Sequence, residues 1–279
     1  MLALTSNLDS SSALFVVNRD GSGLRELARL PVDIIPGPKG TTQLQFRDFQ
    51  PGWSSDDRLV YVSDGLVVTN SDGSGRKTVL AGVSVLRPRW APRDSAITYI
   101  NGTSSGLEIV RVDGSNARQL VTIPGKVSGQ AWSPDGSSLA INTYGTSDGP
   151  LYVLDSRTLL IRQIARVPYA SSSCWSPDSR FLSFVHAERA PVSNNEIHSV
   201  SIARSDGSNL INLEPSATFL SNRVSWSADG GSVIFLSPTL NNGLSITPMS
   251  ASASRRFTTE GGIAYFAVSG VRCSWLFNM

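Results

Sequence analysis

The sequence predicts an all-β fold built from repeated four-stranded antiparallel sheets, and three observations lead to this prediction. Tryptophan recurs once in about 45 residues along the whole chain, and all six tryptophans fit the series. A Ser-Pro-Asp-Gly type turn follows most of them, and an Asp-Gly-Ser turn alternates with it. No stretch shows a helical periodicity long enough to predict a helix. Self-similarity at such a period is typical of repeat architectures.

The tryptophan marks the end of the first strand of each repeat, which we name strand a. The best-formed copy is Ala-Trp-Ser-Pro-Asp-Gly at 131–136, followed by the apolar run 139–141. The tryptophans are Trp53, Trp90, Trp132, Trp175, Trp226 and Trp275. Proline fixes φ in the turn and aspartate bonds back to the main chain, so strand b follows directly. We expect each indole to pack between neighbouring sheets and Trp132→Ala to cost about 3–5 kcal/mol.

The second turn joins strands c and d. Its copies are Asp20-Gly21, Asp72-Gly73, Asp113-Gly114 and Asp206-Gly207, each followed by Ser. Asp-Gly between short β-rich runs predicts a hairpin, because glycine accepts the positive φ of tight turns. Two hairpins make one four-stranded sheet, which is apolar on both faces and must stack on like neighbours. Radial stacking predicts a β-propeller.

Counting the repeats predicts a six-bladed β-propeller in which the whole chain, residues 1–279, is one domain. The expected blades are residues 271–279 with 1–30, then 44–82, 83–123, 124–166, 167–214 and 215–260. The first blade has strands b, c and d at 2–6, 13–17 and 24–29, and the C-terminal strand 270–275 is expected to complete it. Such a closed ring predicts a monomer. The Pro- and Gly-rich stretch Leu30–Leu44 is expected to contain no strand.

Composition restricts the partners. The net charge is +2 with 16% charged and 40% hydrophobic residues, which argues against nucleic acid as a partner, and no apolar run is long enough to insert in a membrane. The first residues do not resemble a secretory signal. No cofactor is expected. Cys174 and Cys273 fall in blades predicted not to touch, so both are expected to be free, buried thiols. Basic residues on strands d, such as Arg25 and Lys77, are interpreted as solvated edge charge.

The two alternating turns and the strands between them are similar to the repeat of TolB-like propellers, also called the PD40 or WD40-like repeat. The resemblance covers essentially the whole chain and implies a six-bladed propeller. The N-terminal α/β domain of TolB itself has no counterpart in the sequence. The resemblance also implies an extracytoplasmic location, in the periplasm or cell envelope.

Binding residues are expected on the face that carries the loops that differ between blades. These loops are Leu30–Leu44, Tyr144–Gly149, His186–Asn195 and Ser237–Asn242, with the approach Glu260–Gly270. Three positions before each tryptophan, near the expected channel mouth, stand Gln50, Arg87, Gly129, Ser172, Arg223 and Arg272. Three converging guanidinium groups would favour a carboxylate, a phosphate or an acidic partner loop. The alternative is that each arginine pairs with a nearby acid or carbonyl.

The leading hypothesis is a non-enzymatic binding or scaffold propeller. It would bind either a protein or peptide partner, for which an acidic partner is one option, or an anionic group. The expected binding residues are Arg87, Arg223, Arg272, Gln50, Ser172, His186 and Glu188. The alternative is a carbohydrate lyase or hydrolase in the same funnel, metal-assisted through His186 and His198 with Glu188 or Glu196. A third hypothesis is a structural or gating module cut from a larger protein. The segment Gly102–Gly106 has the spacing of a hydrolase nucleophile elbow, but a strand follows it, so we expect a hairpin loop.

Overall fold

The structure is a computed structural model that describes residues 1–8, 11–36, 42–45, 48–144, 150–166, 170–189, 196–217, 224–237, 243–248 and 255–257. These residues form two compact units, one with residues 1–103 and 107–120 and one with residues 104–106 and 121–257. Within the described ranges, helical geometry is limited to the 3-10 turn Pro92–Asp94. None of the described helical segments is long and apolar enough to cross a bilayer.

The first unit contains one three-stranded sheet, one two-stranded hairpin and two four-stranded sheets. The three-stranded sheet consists of β1 (Leu2–Leu8), β2 (Ser11–Val17) and β3 (Arg25–Pro31), and the hairpin of β4 (Asp33–Pro36) and β5 (Thr42–Gln45). The next sheet has β6 (Gly52–Trp53), β7 (Arg58–Ser63), β8 (Gly65–Asn70) and β9 (Lys77–Ala81). The last has β10 (Val85–Trp90), β11 (Ala96–Asn101), β12 (Leu107–Arg111) and β13 (Arg118–Val121).

The second unit contains three four-stranded sheets. The first has β14 (Lys126–Trp132), β15 (Ser138–Tyr144), β16 (Leu151–Asp155) and β17 (Ile161–Ala165). The second has β18 (Ala170–Trp175), β19 (Phe181–Arg189), β20 (Glu196–Arg204) and β21 (Ile211–Ala217). The third has β22 (Val224–Trp226), β23 (Ser232–Ser237), β24 (Gly243–Pro248) and β25 (Arg255–Phe257). In every sheet the strands follow one another in sequence order.

This order confirms the predicted antiparallel a-b-c-d unit, with strand a ending at the tryptophan in all five four-stranded sheets. Strands β1, β2 and β3 correspond to the predicted strands b, c and d of the first blade. The strand expected to complete that blade, 270–275, lies outside the described residues. Ring closure and the count of six blades therefore stay predictions.

The prediction that Leu30–Leu44 contains no strand is wrong. Strands β4 and β5 pair in an antiparallel register, with Ile34 opposite Leu44 and Pro36 opposite Thr42. A two-stranded hairpin uses only one edge of each strand, and Pro36 is the last residue of β4. Its missing N–H therefore interrupts no ladder, as is usual for proline at a strand end.

The c–d turns are built by the aspartate and serine that the sequence pattern singled out. Asp72 Oδ1 accepts hydrogen bonds from the Ser74 backbone N–H at 2.9 Å and from the Ser74 hydroxyl at 2.6 Å. Gly73 between them has φ 84°, a left-handed conformation that glycine adopts at little cost. The same aspartate-to-serine bonds occur at Asp20, Asp113 and Asp206. The hairpin prediction is therefore confirmed at all four copies.

These bonds make the turns sensitive to acid. Bonds from the Ser74 hydroxyl and backbone hold the pKa of Asp72 below its ordinary value of 3.8, and the serine partners do the same at the other three copies. A carboxylate whose pKa is lower in the folded than in the unfolded chain adds stability above the unfolded pKa, and that stability is lost as the pH falls through the folded pKa. We therefore expect the thermal midpoint to fall as the pH drops below about 4.

A quadruple variant tests this expectation. Replacing Asp20, Asp72, Asp113 and Asp206 by asparagine keeps a side-chain oxygen for the serine N–H and removes the titrating group. The variant's midpoint should fall less steeply than that of the wild type between about pH 4 and pH 2.5. Equal acid slopes in circular-dichroism melts would show that these turns do not contribute to the acid sensitivity.

Tryptophan indoles connect consecutive sheets within each unit. Trp90 Nε1 donates to the Gly52 carbonyl at 3.1 Å, Trp175 Nε1 to Ala131 at 2.9 Å and Trp226 Nε1 to Cys174 at 3.0 Å. In each pair the acceptor is the residue just before the tryptophan of the preceding sheet. Each ring is also buried in a cluster formed with that sheet. The predicted packing of tryptophans between neighbouring sheets is confirmed for these three.

Two basic residues of strands d form hydrogen bonds to a neighbouring sheet, which the sequence interpretation as solvated edge charge did not predict. Arg25 Nη1 donates to the Asp72 carbonyl at 2.6 Å, and Lys77 Nζ donates to the Asp113 carbonyl at 3.1 Å. Each cation thus reaches the c–d turn of the next four-stranded sheet. These two residues are inter-sheet contacts and not only solvated edge charge.

Cys174 corrects another expectation. Its side chain is 1% exposed and is disulfide-bonded, so it is not the free thiol that the blade assignment predicted. The assignment assumed that the two cysteines could not meet, an assumption based on strand order alone. The chain's other cysteine, Cys273, lies outside the described residues.

Candidate functional site

Three of the strands a carry a β-bulge close to the position that the sequence singled out. In β10 the ladder to β11 shifts between Leu86 and Arg89, so two residues, Arg87 and Pro88, stand opposite Tyr99. Strand β14 shifts between 127 and 129, and β18 between 171 and 174. Bulges redirect side chains and are common beside functional sites. In these three strands, the position three residues before the tryptophan therefore lies at or beside an irregularity of the β-ladder.

Gln50 and Arg87 form the part of the predicted mouth that the structure brings together. Both adopt the left-handed backbone region, with φ 46° and 49°, where non-glycine residues are uncommon and strained. The Gln50 side-chain Oε1 accepts a hydrogen bond from the Arg87 backbone N–H. Asp48 Oδ1 in turn accepts from the Gln50 N–H at 3.0 Å. This chain of bonds holds the bulge in place and leaves the Arg87 side chain exposed.

Arg89 lies two residues further along β10. Among the described cationic side chains, its pKa is shifted the most. Its side chain is partly buried, and its Nη1 donates to the Pro88 carbonyl at 2.8 Å. Burial, followed by the charge of Arg87, lowers the pKa of Arg89 to about 10, while Asp48 acts in the opposite direction. Arg89 forms no ion pair with any residue that the structure describes. It is nevertheless charged at neutral pH.

The remaining predicted mouth residues are not brought together in the described structure. Arg223 and Arg272 lie outside the described residues, so the arginine cluster stays a prediction. Ser172 lies in β18 and Glu188 in β19, and their side chains are outside the described part.

His186 is buried, which corrects its assignment to a ligand-facing loop. It lies in β19, is 2% exposed, and its Nε2 is 2.9 Å from the Ser201 hydroxyl. Ser201 donates to Asn212 Oδ1 at 2.5 Å, so it must accept from His186, and Nε2 carries the proton. This buried chain of hydrogen bonds explains the histidine by packing.

The metal-site hypothesis loses its geometric basis in the described part of the chain. The register pairs His186 with Ser199 and His198 with Ala187, so the two histidines are not opposite each other across the ladder. No group of three potential metal ligands occurs among the described His, Cys, Asp and Glu residues. Residues 102–106 connect β11 to β12, so the hairpin prediction for the elbow-like segment is confirmed.

Arg89 is the site residue that sequence reasoning missed, although a signal was available. The position just before the tryptophan is occupied by a small residue in the five other repeats, namely Gly52, Ala131, Cys174, Ser225 and Ser274. Only this repeat has a large, charged side chain there. Comparing the repeats column by column, and not only at the turns, would have identified it.

Comparisons with known proteins agree with the repeat pattern. Residues 54–262 match the family described as "TolB beta propeller domain". The crystal structure of TolB from Acinetobacter baumannii superposes with a TM-score of 0.63 at 16% identity, covering 93% of this chain and 64% of that one. An oligogalacturonate lyase solved in complex with manganese gives a TM-score of 0.60 at 16% identity, covering 84% and 70%.

A curated relative is similar over a shorter stretch. Dipeptidyl-peptidase 5 from Porphyromonas endodontalis is 36% identical over 77 residues, which are 26% of this chain and 11% of the peptidase. This chain therefore corresponds to only about a tenth of that protein's length. Since the family match extends over most of the sequence, the chain belongs to the TolB β-propeller domain family.

Proposed function

We propose that this chain is a non-enzymatic binding module that takes an acidic segment of a protein or peptide at the start of strand β10. The observation that carries the proposal is the left-handed bulge at Arg87, which Gln50 holds by a side-chain bond to the Arg87 N–H. Strained non-glycine conformations of this kind cluster at functional sites. The bulge presents an exposed guanidinium on a fixed backbone, which reduces the cost of ordering it on binding.

The chemistry of the described residues favours binding over catalysis. Arg89, with its pKa lowered only to about 10, stays charged in the neutral range and cannot serve as a general base there. Two like charges instead favour an anionic group. The similar proteins include a TolB, a lyase and a peptidase, and because one fold hosts many activities, that variety does not decide among them. The proposal therefore depends on the site residues.

Peptide binding to the purified chain tests the proposal. A fluorescein-labelled peptide with four glutamates should bind, and the same peptide with four glutamines should not, when both are measured by fluorescence polarisation. Arg87→Glu should weaken binding of the glutamate peptide by about tenfold or more, because a favourable charge becomes a repulsive one.

The control is Arg118→Glu, which makes the same change in net charge at an exposed position of β13. That variant should bind the glutamate peptide within about twofold of the wild type. Equal losses of peptide affinity in the two variants would show that net charge alone explains the effect of Arg87→Glu. Equal binding of the two peptides to the wild type would contradict the proposal itself.

A further inference from the structure

Among the described residues of the first unit, Arg89 and Arg58 are the partly buried arginines, and only Arg58 forms an ion pair. Arg58 pairs with Asp56 at 2.9 Å, donates to the Asp94 carbonyl at 3.1 Å and stacks over the Trp90 ring at 4.6 Å. Among the described residues, the Arg89 guanidinium makes one hydrogen bond, to the carbonyl of the residue before it. The two guanidinium groups are attached to neighbouring sheets and serve as an internal comparison.

An arginine in this position lowers stability unless something else compensates. Removing a charge from water is costly, and proteins usually pair such charges or neutralise them. Asp48 is near enough to favour the charge of Arg89, but Arg87 opposes it. A small residue fits the same position in the five other repeats, so the fold itself does not require a long cationic side chain there.

The free donors of Arg89 define the chemistry of what could compensate. A guanidinium carries five N–H groups in a planar fork, and among the described residues only the Pro88 carbonyl accepts a hydrogen bond from the Arg89 guanidinium. The fork matches the two oxygens of a carboxylate or the paired oxygens of a phosphate. Arg87, two residues before it in β10, adds positive charge on the exposed side.

We propose that Arg89 is the anchor of an oxyanion site, with Arg87 at its entrance, and that its ligand is a carboxylate or phosphate group. This inference rests on the proposed function, because the oxyanion would be the group of the acidic partner that lies deepest in the site at the start of β10. Arg87 would attract the group and Arg89 would hold it by two parallel hydrogen bonds.

Thermal melts of the full chain in added anions give the first test. Sodium phosphate and sodium acetate, each compared with sodium chloride at equal ionic strength, should raise the midpoint of the wild type in a saturable way, since a ligand that binds the folded state stabilises it. Phosphate acting alone would identify a phosphate site, and both acting would identify a general oxyanion site. No saturable rise with either anion would overturn the inference.

Matched substitutions supply the second readout. Arg89→Gln should leave the midpoint in chloride unchanged or raise it, and should weaken the anion effect by about tenfold or more. Arg58→Gln should lower the midpoint in chloride, because it removes an ion pair and a stacking contact, and should keep the anion effect. A lowered midpoint for Arg89→Gln together with an intact anion effect would assign Arg89 a purely structural role.

A third measurement does not depend on variant stability. In a ¹⁵N spectrum of arginine side chains, the Nε–H signal that Arg89→Gln removes should shift as phosphate or acetate is added. Anion protection that needs Arg89, without binding of the glutamate peptide, would support this inference and contradict the proposed function. If the glutamate peptide binds and Arg89→Gln leaves that binding unchanged, the result would support the proposed function and contradict the role of Arg89 as the anchor.

Discussion

Trp226→Ala is expected to lower the free energy of unfolding by about 3–5 kcal/mol, the range of large aromatic deletions in a core. The Trp226 ring is fully buried in a cluster to which two consecutive sheets contribute, with Val185 and Val200 on one side and Val233 and Phe235 on the other. Its removal leaves a cavity between the sheets and removes the indole hydrogen bond to the Cys174 carbonyl, which keeps a bond from the Ser183 hydroxyl at 3.1 Å. Urea denaturation followed by circular dichroism measures the loss.

Two further variants separate the contributions. Trp226→Phe keeps most of the buried ring and removes the indole donor, while Ser183 still donates to the Cys174 carbonyl. The lost hydrogen bond should therefore cost only about 0.5–1.5 kcal/mol. Trp132→Ala should cost less than Trp226→Ala, because the Trp132 side chain is partly exposed; this lowers the 3–5 kcal/mol expected for it from the repeat pattern alone. A Trp226→Ala variant as stable as the wild type would contradict the role of the indole between the sheets.

Gly65→Ala is expected to cost about 3 kcal/mol or more, because conformational strain and overpacking act together. Gly65 opens β8 after a single-residue connection from Ser63 and has φ 131°. A Cβ atom there would lie 2.0 Å from the Leu80 carbonyl oxygen and 3.2 Å from the Ala81 Cα. Both are backbone atoms of β9, so relief requires the ladder itself to move.

Gly82→Ala is the matched control. Gly82 also has a positive φ, 67°, but a Cβ atom would meet nothing within 4 Å. It should therefore cost only about 1 kcal/mol, the strain of the left-handed backbone. In hydrogen exchange, Gly65→Ala should reduce protection in β7, β8 and β9 first. Equal stability losses in the two variants would show that the contact with Leu80 does not matter.

Local patterns predicted the repeat well, because the physics of a tight turn is contained in a few consecutive residues. Asp72 and Gly73 define their turn whatever surrounds them, and Trp175 marks the end of its strand in the same way. The hairpin β4–β5 does not follow from the sequence, because proline breaks a strand only where its missing N–H would be needed. Pro36 is harmless at a strand end, and only the pairing partner shows that it lies there.

The site was less predictable, because it depends on contacts between residues distant in sequence. Gln50 and Arg87 share a spacing from tryptophan, but that spacing does not predict the hydrogen bond that the Arg87 N–H donates to the Gln50 side chain. The burial of His186 depends on Ser201 in the neighbouring strand. Arg89 stands out only when equivalent positions of the repeats are compared, and only the three-dimensional structure shows that no described residue forms an ion pair with it.

The bonds that Trp90, Trp175 and Trp226 make to the preceding sheet do not depend on the neighbour's side chain. Gly52, Ala131 and Cys174 differ chemically, yet each offers the same main-chain oxygen to the next indole. A duplicated repeat would therefore find its acceptor already present in whichever repeat comes before it. Adding or removing a repeat would need no change at the position that accepts the indole N–H.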